Sequence, residues 1–357
     1  MTHLELFSGI GGFRRALDLL TNDGIMSFNC VGYSEIDTKA KETYQANFNV
    51  ENEIDMGDIV KFTSNKDNIR KLPDFDLLTG GFPCQTFSVM GEQTGFNEVR
   101  GQMFFRIMDI IEVKHPRYVL LENVKNLFRH DRGKTYARIQ EELEKEGYHV
   151  FSNVFNTIDF HLPQKRSRVL IFATLEDVPN NFAERFTPQH VKELFDQNYL
   201  KLSVSHYENT LEILRKNVDR KYYLSERIKP TILADGSANF KSKSDINQLI
   251  ARTLTASMHK MHRACQDNYY SQDFIESNGA INHVFDYTKE QLAQLQIRKL
   301  TPQEAFMLQG FPAEFATKAQ SRNVSNGALY KQAGNAVSVN TIYAVLYYLI
   351  TNHLLFE

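Results

Sequence analysis

The stretch His3-Leu4-Glu5-Leu6-Phe7-Ser8-Gly9-Ile10-Gly11-Gly12 decides how this chain folds. Residues 3–7 form a short apolar run, the glycines mark a turn, and residues 13–20 carry helical spacing. At such a strand–turn–helix junction, glycines let a ligand approach the backbone without meeting a Cβ. No third glycine stands three residues after Gly11, so this is not the dinucleotide-binding fingerprint.

The same alternation continues outward to about residue 175. Further strands are predicted at 29–34, 75–79, 117–122, 148–157 and 168–174. Helices are predicted at 38–48, along the stripe Met103, Phe104, Ile107, Met108 and Ile111, and at 134–146, where Gly147 serves as C-terminal cap. Strands alternating with helices imply a doubly wound α/β sheet of Rossmann-like type. Between 178 and 297 the rhythm stops, which predicts a second, smaller domain of irregular α+β type. Residues 330–355 are again apolar and helical. The run 341–356 is broken by Asn352 and His353 and is too short to span a bilayer, so a packed helix is expected. The expected division is 1–177 with 327–357, then 178–297, with 298–326 as a hinge.

A length of 357 residues suits one large domain plus a smaller one. Hydrophobic residues at 42% and charged residues at 24% exclude a mostly disordered chain. The near balance of 41 Lys+Arg and 43 Asp+Glu excludes a uniformly basic nucleic-acid coat. The charge is uneven, however. Residues 1–100 hold 9 basic and 15 acidic residues, a net of −6, while residues 201–263 hold 12 and 6, a net of +6. The basic middle is the part expected to meet phosphates. Cys30, Cys84 and Cys265 are too few for a disulfide scaffold and suit a reducing compartment. No basic-then-apolar leader opens the chain, and a cytoplasmic location is expected.

Four further places carry chemistry. Glu35 follows the second strand, where an acid can accept hydrogen bonds from ribose hydroxyls, and Asp58 sits where a third strand would end. Gly80-Gly81-Phe82-Pro83-Cys84-Gln85 presents a thiol in a Gly/Pro turn just past a buried strand. A useful nucleophile there needs surroundings that favour the thiolate. Glu122, at the end of the next strand, could share a proton with a ring nitrogen. Arg166 and Arg168 stand two apart at a strand start, which would direct both to one face. Their planar forks suit carbonyl or phosphate groups.

In this order the motifs resemble the cytosine-C5 DNA methyltransferase family of the bacterial and phage restriction–modification type. The matching residues are Phe7-Ser8-Gly9-Ile10-Gly11-Gly12, Pro83-Cys84-Gln85, Glu122-Asn123-Val124 and Gln164-Lys165-Arg166-Ser167-Arg168. Arg298-Lys299-Leu300-Thr301-Pro302, Gln309-Gly310-Phe311-Pro312 and Gly334-Asn335-Ala336-Val337 extend the likeness. It implies a sequence-specific DNA (cytosine-5-)-methyltransferase that uses S-adenosylmethionine and releases S-adenosylhomocysteine. By this resemblance the cofactor lies on Phe7, Gly9, Ile10, Gly11 and Gly12. Ile36 flanks the adenine, Glu35 holds the ribose and Asp58 the adenine amino group. Pro83, Asn335 and Val337 complete the cofactor site.

The resemblance also makes Cys84 the nucleophile toward C6 of an extruded cytosine. Glu122 contacts N3 and the exocyclic amine, Arg168 holds the base carbonyl, and Arg166 supports it. Flipping exposes ring faces that stacking hides. Glycines at Gly91 and Gly95 could hinge a loop carrying Ser88, Met90 and Arg100 to the DNA, Met90 being the candidate for insertion. In this loop Glu92-Gln93-Thr94 stand where family members often carry Lys or Arg. Arg252, Lys260, His262 and Arg263 are candidate DNA contacts in the middle domain, which in this family reads the target sequence. The partner is double-stranded DNA, with no metal or membrane, and a monomer is expected. The family's tRNA-directed branch carries a Cys-Phe-Thr motif that is absent here. A non-catalytic relative need not keep Cys84, Glu122 and Arg168 together, and the glycine spacing disfavours a nicotinamide-dependent oxidoreductase.

Overall fold

The computed structural model describes residues 1–83, 103–236, 242–260 and 262–352. Strand β1 (Thr2–Leu6) leads to helix α1 (Gly12–Asn22), and β2 (Asn29–Tyr33) to α2 (Thr38–Asn47). Next come β3 (Ile54–Asp55), α3 (Ile59–Thr63), α4 (Lys66–Arg70), β4 (Leu77–Gly81) and α5 (Met103–Lys114). Then follow β5 (Tyr118–Val124), α6 (Lys134–Lys145), β6 (His149–Asn156), the two-residue β7 (Gln164–Lys165) and β8 (Ser167–Thr174). Seven of these strands form one sheet in the order β3-β2-β1-β4-β5-β8-β6. The first five are parallel, and β8 runs antiparallel to both its neighbours.

A parallel sheet must be covered on both faces, which is why its strands read as continuous apolar runs. One face carries Leu4, Leu6, Leu78, Val119, Leu121, Val169 and Ile171, packed on Ile107, Ile110 and Ile111 of α5 and Ile139 and Leu143 of α6. Alternate residues serve the other face, where Phe172 meets Phe182 and Phe186 at 5.9 and 6.2 Å. Strand order reverses at β1, with β2 on one side and β4 on the other. Ligands of open α/β sheets bind outside the carboxyl ends of the strands at such a point.

The chain forms two compact units. The first comprises Met1–Asn156, Ser167–Val204 and Thr341–Glu357, and the second Thr157–Arg166 and Ser205–Asn340. These limits differ from the sequence boundaries at three places. Residues 178–204 stay with the sheet because Phe182 and Phe186 pack on Phe172. Residues 157–166 and 327–340 belong to the second unit. There a Cβ on Gly334 would lie 2.1 Å from the Thr255 carbonyl carbon, so that helix and the 255–256 backbone are in direct contact.

The second unit is irregular α+β, as its sequence suggested. Strand β9 (Ala251–Arg252) pairs with β7, and β10 (Tyr269–Ser271) with β11 (Ile297–Lys299). A small core holds Leu224, Ile232, Leu233, Ile246, Tyr269, Leu292 and Ile297. Within 326–351 the most apolar window is 89% buried inside the protein, as a core helix requires.

Candidate active site

The turn after β1 is held by unusual backbone angles. Phe7, Gly9 and Gly11 have φ of 52°, 56° and 83°. A Cβ on Gly11 would fall 2.3 Å from the Phe48 ring, so conformation and space both demand glycine. The Phe7 amide donates to Ser34 Oγ at 3.1 Å and the Ser8 amide to the Ser34 carbonyl at 2.8 Å. Glu35 fastens the turn to the next segment. Its Oε2 accepts from the Gly9 amide at 2.8 Å and its Oε1 from the Asp37 amide at 2.7 Å. Each oxygen keeps further acceptor capacity for a ligand hydroxyl. Burial pushes the Glu35 carboxyl above the usual carboxylate range, and the two amide bonds oppose that. Beside it, Ile36 is 71% exposed, an apolar surface on which a flat ring can rest. Ile10 is buried, and Gly12 opens α1.

Asp58 has a structural task that its sequence position did not reveal. It is the N-cap of α3, and its Oδ1 accepts from the Val60 amide at 3.0 Å. Glu5 was missed altogether. It lies fully buried in β1, with Tyr44 donating to Oε2 at 3.1 Å and the Arg14 amide to Oε1 at 3.4 Å. Burial pushes its carboxyl up to about 8. The available signal was an acid inside the apolar run Leu4-Glu5-Leu6.

The neighbouring strand ends bring the other motifs together. Gly81 of β4 stands in register with Glu122 of β5. Buried Asn123 donates from Nδ2 to the Phe82 carbonyl at 2.9 Å, which fixes the chain just before exposed Pro83. Cys84, Ser88, Met90 and Arg100 lie outside the described residues. Glu122 Oε1 accepts from Arg168 Nε at 2.9 Å, and both side chains are largely buried. The antiparallel pairing of β8 sets Arg168 opposite Val124 and so delivers its side chain to the end of β5.

Arg166 does not share that strand, which begins at Ser167. The alternation rule therefore does not apply to the pair. The Arg166 guanidinium is buried and donates to the carbonyls of Leu254 at 3.1 Å, Gly334 at 3.3 Å and Ala336 at 2.7 Å. It is a brace within the second unit. Asn335, exposed, and Val337, half-buried, flank the carbonyl of Ala336 that it holds.

Two of the middle-segment cations are also engaged internally. Arg252 donates to the carbonyls of Asp245 at 2.8 Å and Lys243 at 3.4 Å. Arg263 pairs with Asp267 at 2.6 Å and donates to Ser257 Oγ at 2.8 Å. Lys260 is exposed, whereas His262 is half-buried. Burial, followed by the charge of Lys299, holds the His262 imidazole below the usual histidine range. Among the described residues no His/Cys/Asp/Glu group could hold a metal ion.

A buried guanidinium–carboxylate pair at a strand end offers a planar array of donors and acceptors, suited to the edge of a heterocycle. Residues 1–351 match the C-5 cytosine-specific DNA methylase family. The type II methyltransferase M1.ScrFI of Lactococcus lactis subsp. cremoris is 36% identical over 346 residues, 96% of this chain and 76% of that protein. Type II methyltransferase M.NgoBI of Neisseria gonorrhoeae is 32% identical, over 96% of this chain and 90% of its own length. The crystal structure of S. pombe Dnmt2 methyltransferase superposes with a TM-score of 0.73 over 100% of both chains, and at 21% identity that is a likeness of fold alone. The chain therefore belongs to the C-5 cytosine-specific DNA methylase family and is a DNA (cytosine-5-)-methyltransferase.

Proposed function

We propose that this enzyme modifies one short duplex sequence as a type II modification enzyme, using S-adenosylmethionine held at the turn of residues 7–12. The donor supplies an electrophilic methyl group. The turn fits such a molecule because its glycines leave the backbone open, Glu35 retains acceptor lone pairs, and Ile36 and Phe7 offer apolar surface. Asp58 has acceptor capacity left for an amino group beyond its cap bond.

The target cytosine must leave the stack before its ring can be attacked, at a cost of a few kcal/mol. The Cys84 thiolate then adds to C6, and the ring's electrons move toward C5. Glu122, through the oxygen not engaged by Arg168, contacts N3 and the exocyclic amine and favours the protonated ring. Arg168 holds the base carbonyl. After C5 takes the methyl group, loss of the C5 proton restores the double bond and expels Cys84. The observation that carries this reading is the 2.9 Å pair of Arg168 and Glu122 in register with Gly81, three residues before Cys84.

A duplex carrying 5-fluorocytosine tests it, because fluorine cannot leave as a proton does. With S-adenosylmethionine present, the expected result is a denaturation-resistant protein–DNA adduct that disappears in Cys84→Ser. No adduct on any DNA, together with methyl transfer to tRNA, would overturn the proposal.

A further inference from the structure

Helix α2 has a shallow seat in the sheet unit. Of its ten residues only Ala40, Thr43 and Tyr44 are buried, and Tyr44 is the largest of them. The Tyr44 hydroxyl donates to Glu5 Oε2 at 3.1 Å. Burial pushes that hydroxyl well above the usual tyrosine range, so it remains a donor. A phenylalanine would fill the same space without a polar atom that must be desolvated and paired. The hydrogen bond therefore adds orientation rather than burial. Glu5 gives that orientation a target. Residue 5 precedes the glycine turn on β1, and its Oε1 accepts from the amide of Arg14, in the first turn of α1, at 3.4 Å. One carboxyl thus ties both ends of the turn to α2.

The rings of this helix and its end also meet the turn directly. A Cβ on Gly11 would lie 3.0 Å from Tyr44 Cε2 as well as 2.3 Å from the Phe48 ring, so both rings rest against that glycine. Tyr33 stacks on Tyr44 at 4.6 Å, and Phe48 tilts against it at 4.7 Å. The Arg14 guanidinium stands 5.6 Å from the centre of the Phe48 ring and steadies the outer member. Tyr33 ends β2 two residues before Glu35, and α2 begins three residues after it. The stack therefore runs from the strand end that carries Glu35 to the glycine that opens the backbone, with Tyr44 in the middle.

We propose that Tyr44, seated by Glu5 and backed by Phe48, is a positioning residue for the methyl donor, setting the turn of residues 7–12 against Glu35. It touches no ligand and acts through Gly11. The inference rests on the reading above that S-adenosylmethionine is held at that turn. A loosened Tyr44 ring lets the turn leave the binding-competent arrangement, and apparent affinity falls by the fraction of time that arrangement is lost. A donor already bound restores it, so the loss belongs to binding and not to methyl transfer.

Calorimetric binding of S-adenosylhomocysteine, well below the melting temperature, tests this apart from turnover. Tyr44→Phe keeps the ring and removes the hydroxyl. Its Kd for S-adenosylhomocysteine and its KM for S-adenosylmethionine should rise together about fivefold, equal to about 1 kcal/mol, the net worth of one hydrogen bond. Its kcat at saturating donor should match wild type. Phe48→Leu should also raise Kd with the hydroxyl untouched, and it carries the test if Tyr44→Phe does not fold. Tyr33→Phe removes a hydroxyl that accepts from Gln45 at 2.8 Å, away from Glu5, and should bind as wild type does. A Tyr44→Phe protein that melts lower yet keeps the wild-type Kd overturns the proposal, because Tyr44 would then be core alone. So does a lowered kcat at unchanged KM, or a folded Phe48→Leu protein with wild-type affinity. Failure of the parent reading looks different, because wild type itself would then bind no S-adenosylhomocysteine, or would bind it equally well as Glu35→Ala.

Discussion

The two compact units use arginine in opposite ways. In the sheet unit, Arg168 sits on a strand whose backbone is paired on both sides by β5 and β6. The ladder satisfies most peptide groups, and the guanidinium engages the Glu122 carboxylate and, among carbonyls, that of its own neighbour Ser167 at 2.9 Å. In the second unit the strands are only two or three residues long. Many carbonyls there have no ladder, yet buried carbonyls must be paired. Side-chain donors take over. Arg166 holds three carbonyls, Arg298 holds those of Lys299 and Arg215, Gln309 holds Ala333, and Asn340 holds Phe160 and Ser205. A count of basic residues therefore overstates what an irregular unit can show to DNA. The +6 stretch includes Arg252 and Arg263, which are braces, and Lys229, which is 2% exposed and pairs with Glu226.

The hardest blow to the second unit should come from Glu304→Ala. Arg298 and Glu304 are both fully buried and joined by two bonds of 2.8 and 2.9 Å. Removing one partner of such a pair costs about 3–5 kcal/mol, because the other charge is stranded. Denaturant unfolding should report this as loss of the second unit's stability. An unchanged midpoint would mean that this pair is not structural. Arg166→Met should follow, at about 3 kcal/mol, since three carbonyls lose a charged donor. Arg166→Lys should recover only part of it, lacking the fork. If Arg166→Met instead folded like wild type and lost turnover, Arg166 would belong with Arg168, and the contrast between the units would break.

Arg168→Gln is the reciprocal test. Loss of one preorganised donor to the reacting base should lower kcat about a hundredfold or more. Stability should fall by less than the ~3–5 kcal/mol of a fully buried pair, because both side chains of the Arg168–Glu122 pair keep some solvent contact and the glutamine amide can still donate. A large stability loss with little effect on kcat would turn this pair into another brace.

This contrast also explains what the sequence could reveal. Strand and helix periods in residues 1–175 arise locally, so the runs at 3–7, 29–34 and 117–122 land on β1, β2 and β5 with small shifts at their ends. The turn residues Gly9 and Gly11 were legible because left-handed backbone angles select glycine. Reversal of β8 was not legible, since no single-residue preference encodes strand direction. Nor were the partners of Arg252 and Arg263 read, although they lie only four to nine residues away, because the irregular backbone there has no period that would place them. Lys299 stood inside a motif read as a hinge, and nothing in its neighbours announced a half-buried cation.

The last effect is spread over pH and concerns the ionisable cluster beneath the glycine turn, where it separates charge stored in a core from charge offered to a ligand. Glu5 faces Tyr44 and Arg14, with Glu53 nearby and bonded to Arg14 at 2.6 Å. Its folded pKa of about 8 lies above the ordinary 4.5. Between those values the folded chain keeps a proton that the unfolded chain has released. Stability from Glu5 is therefore complete below 4.5, falls as pH rises, and is exhausted above about 8. The slope is at most about 1.4 kcal/mol per pH unit for one proton. His3, buried and held down to about 3, works the other way and costs stability as pH falls below 6.5. Glu5→Gln should remove the decline that runs from pH 4.5 to about 8, plainest above 6.5 where the opposing limb of His3 has ended, while leaving the acid limb set by His3, as read by denaturant midpoints across a pH series. If the variant keeps the wild-type decline up to about pH 8, the proton is not on Glu5. If it loses S-adenosylmethionine affinity at unchanged stability, Glu5 serves the turn above it rather than the core.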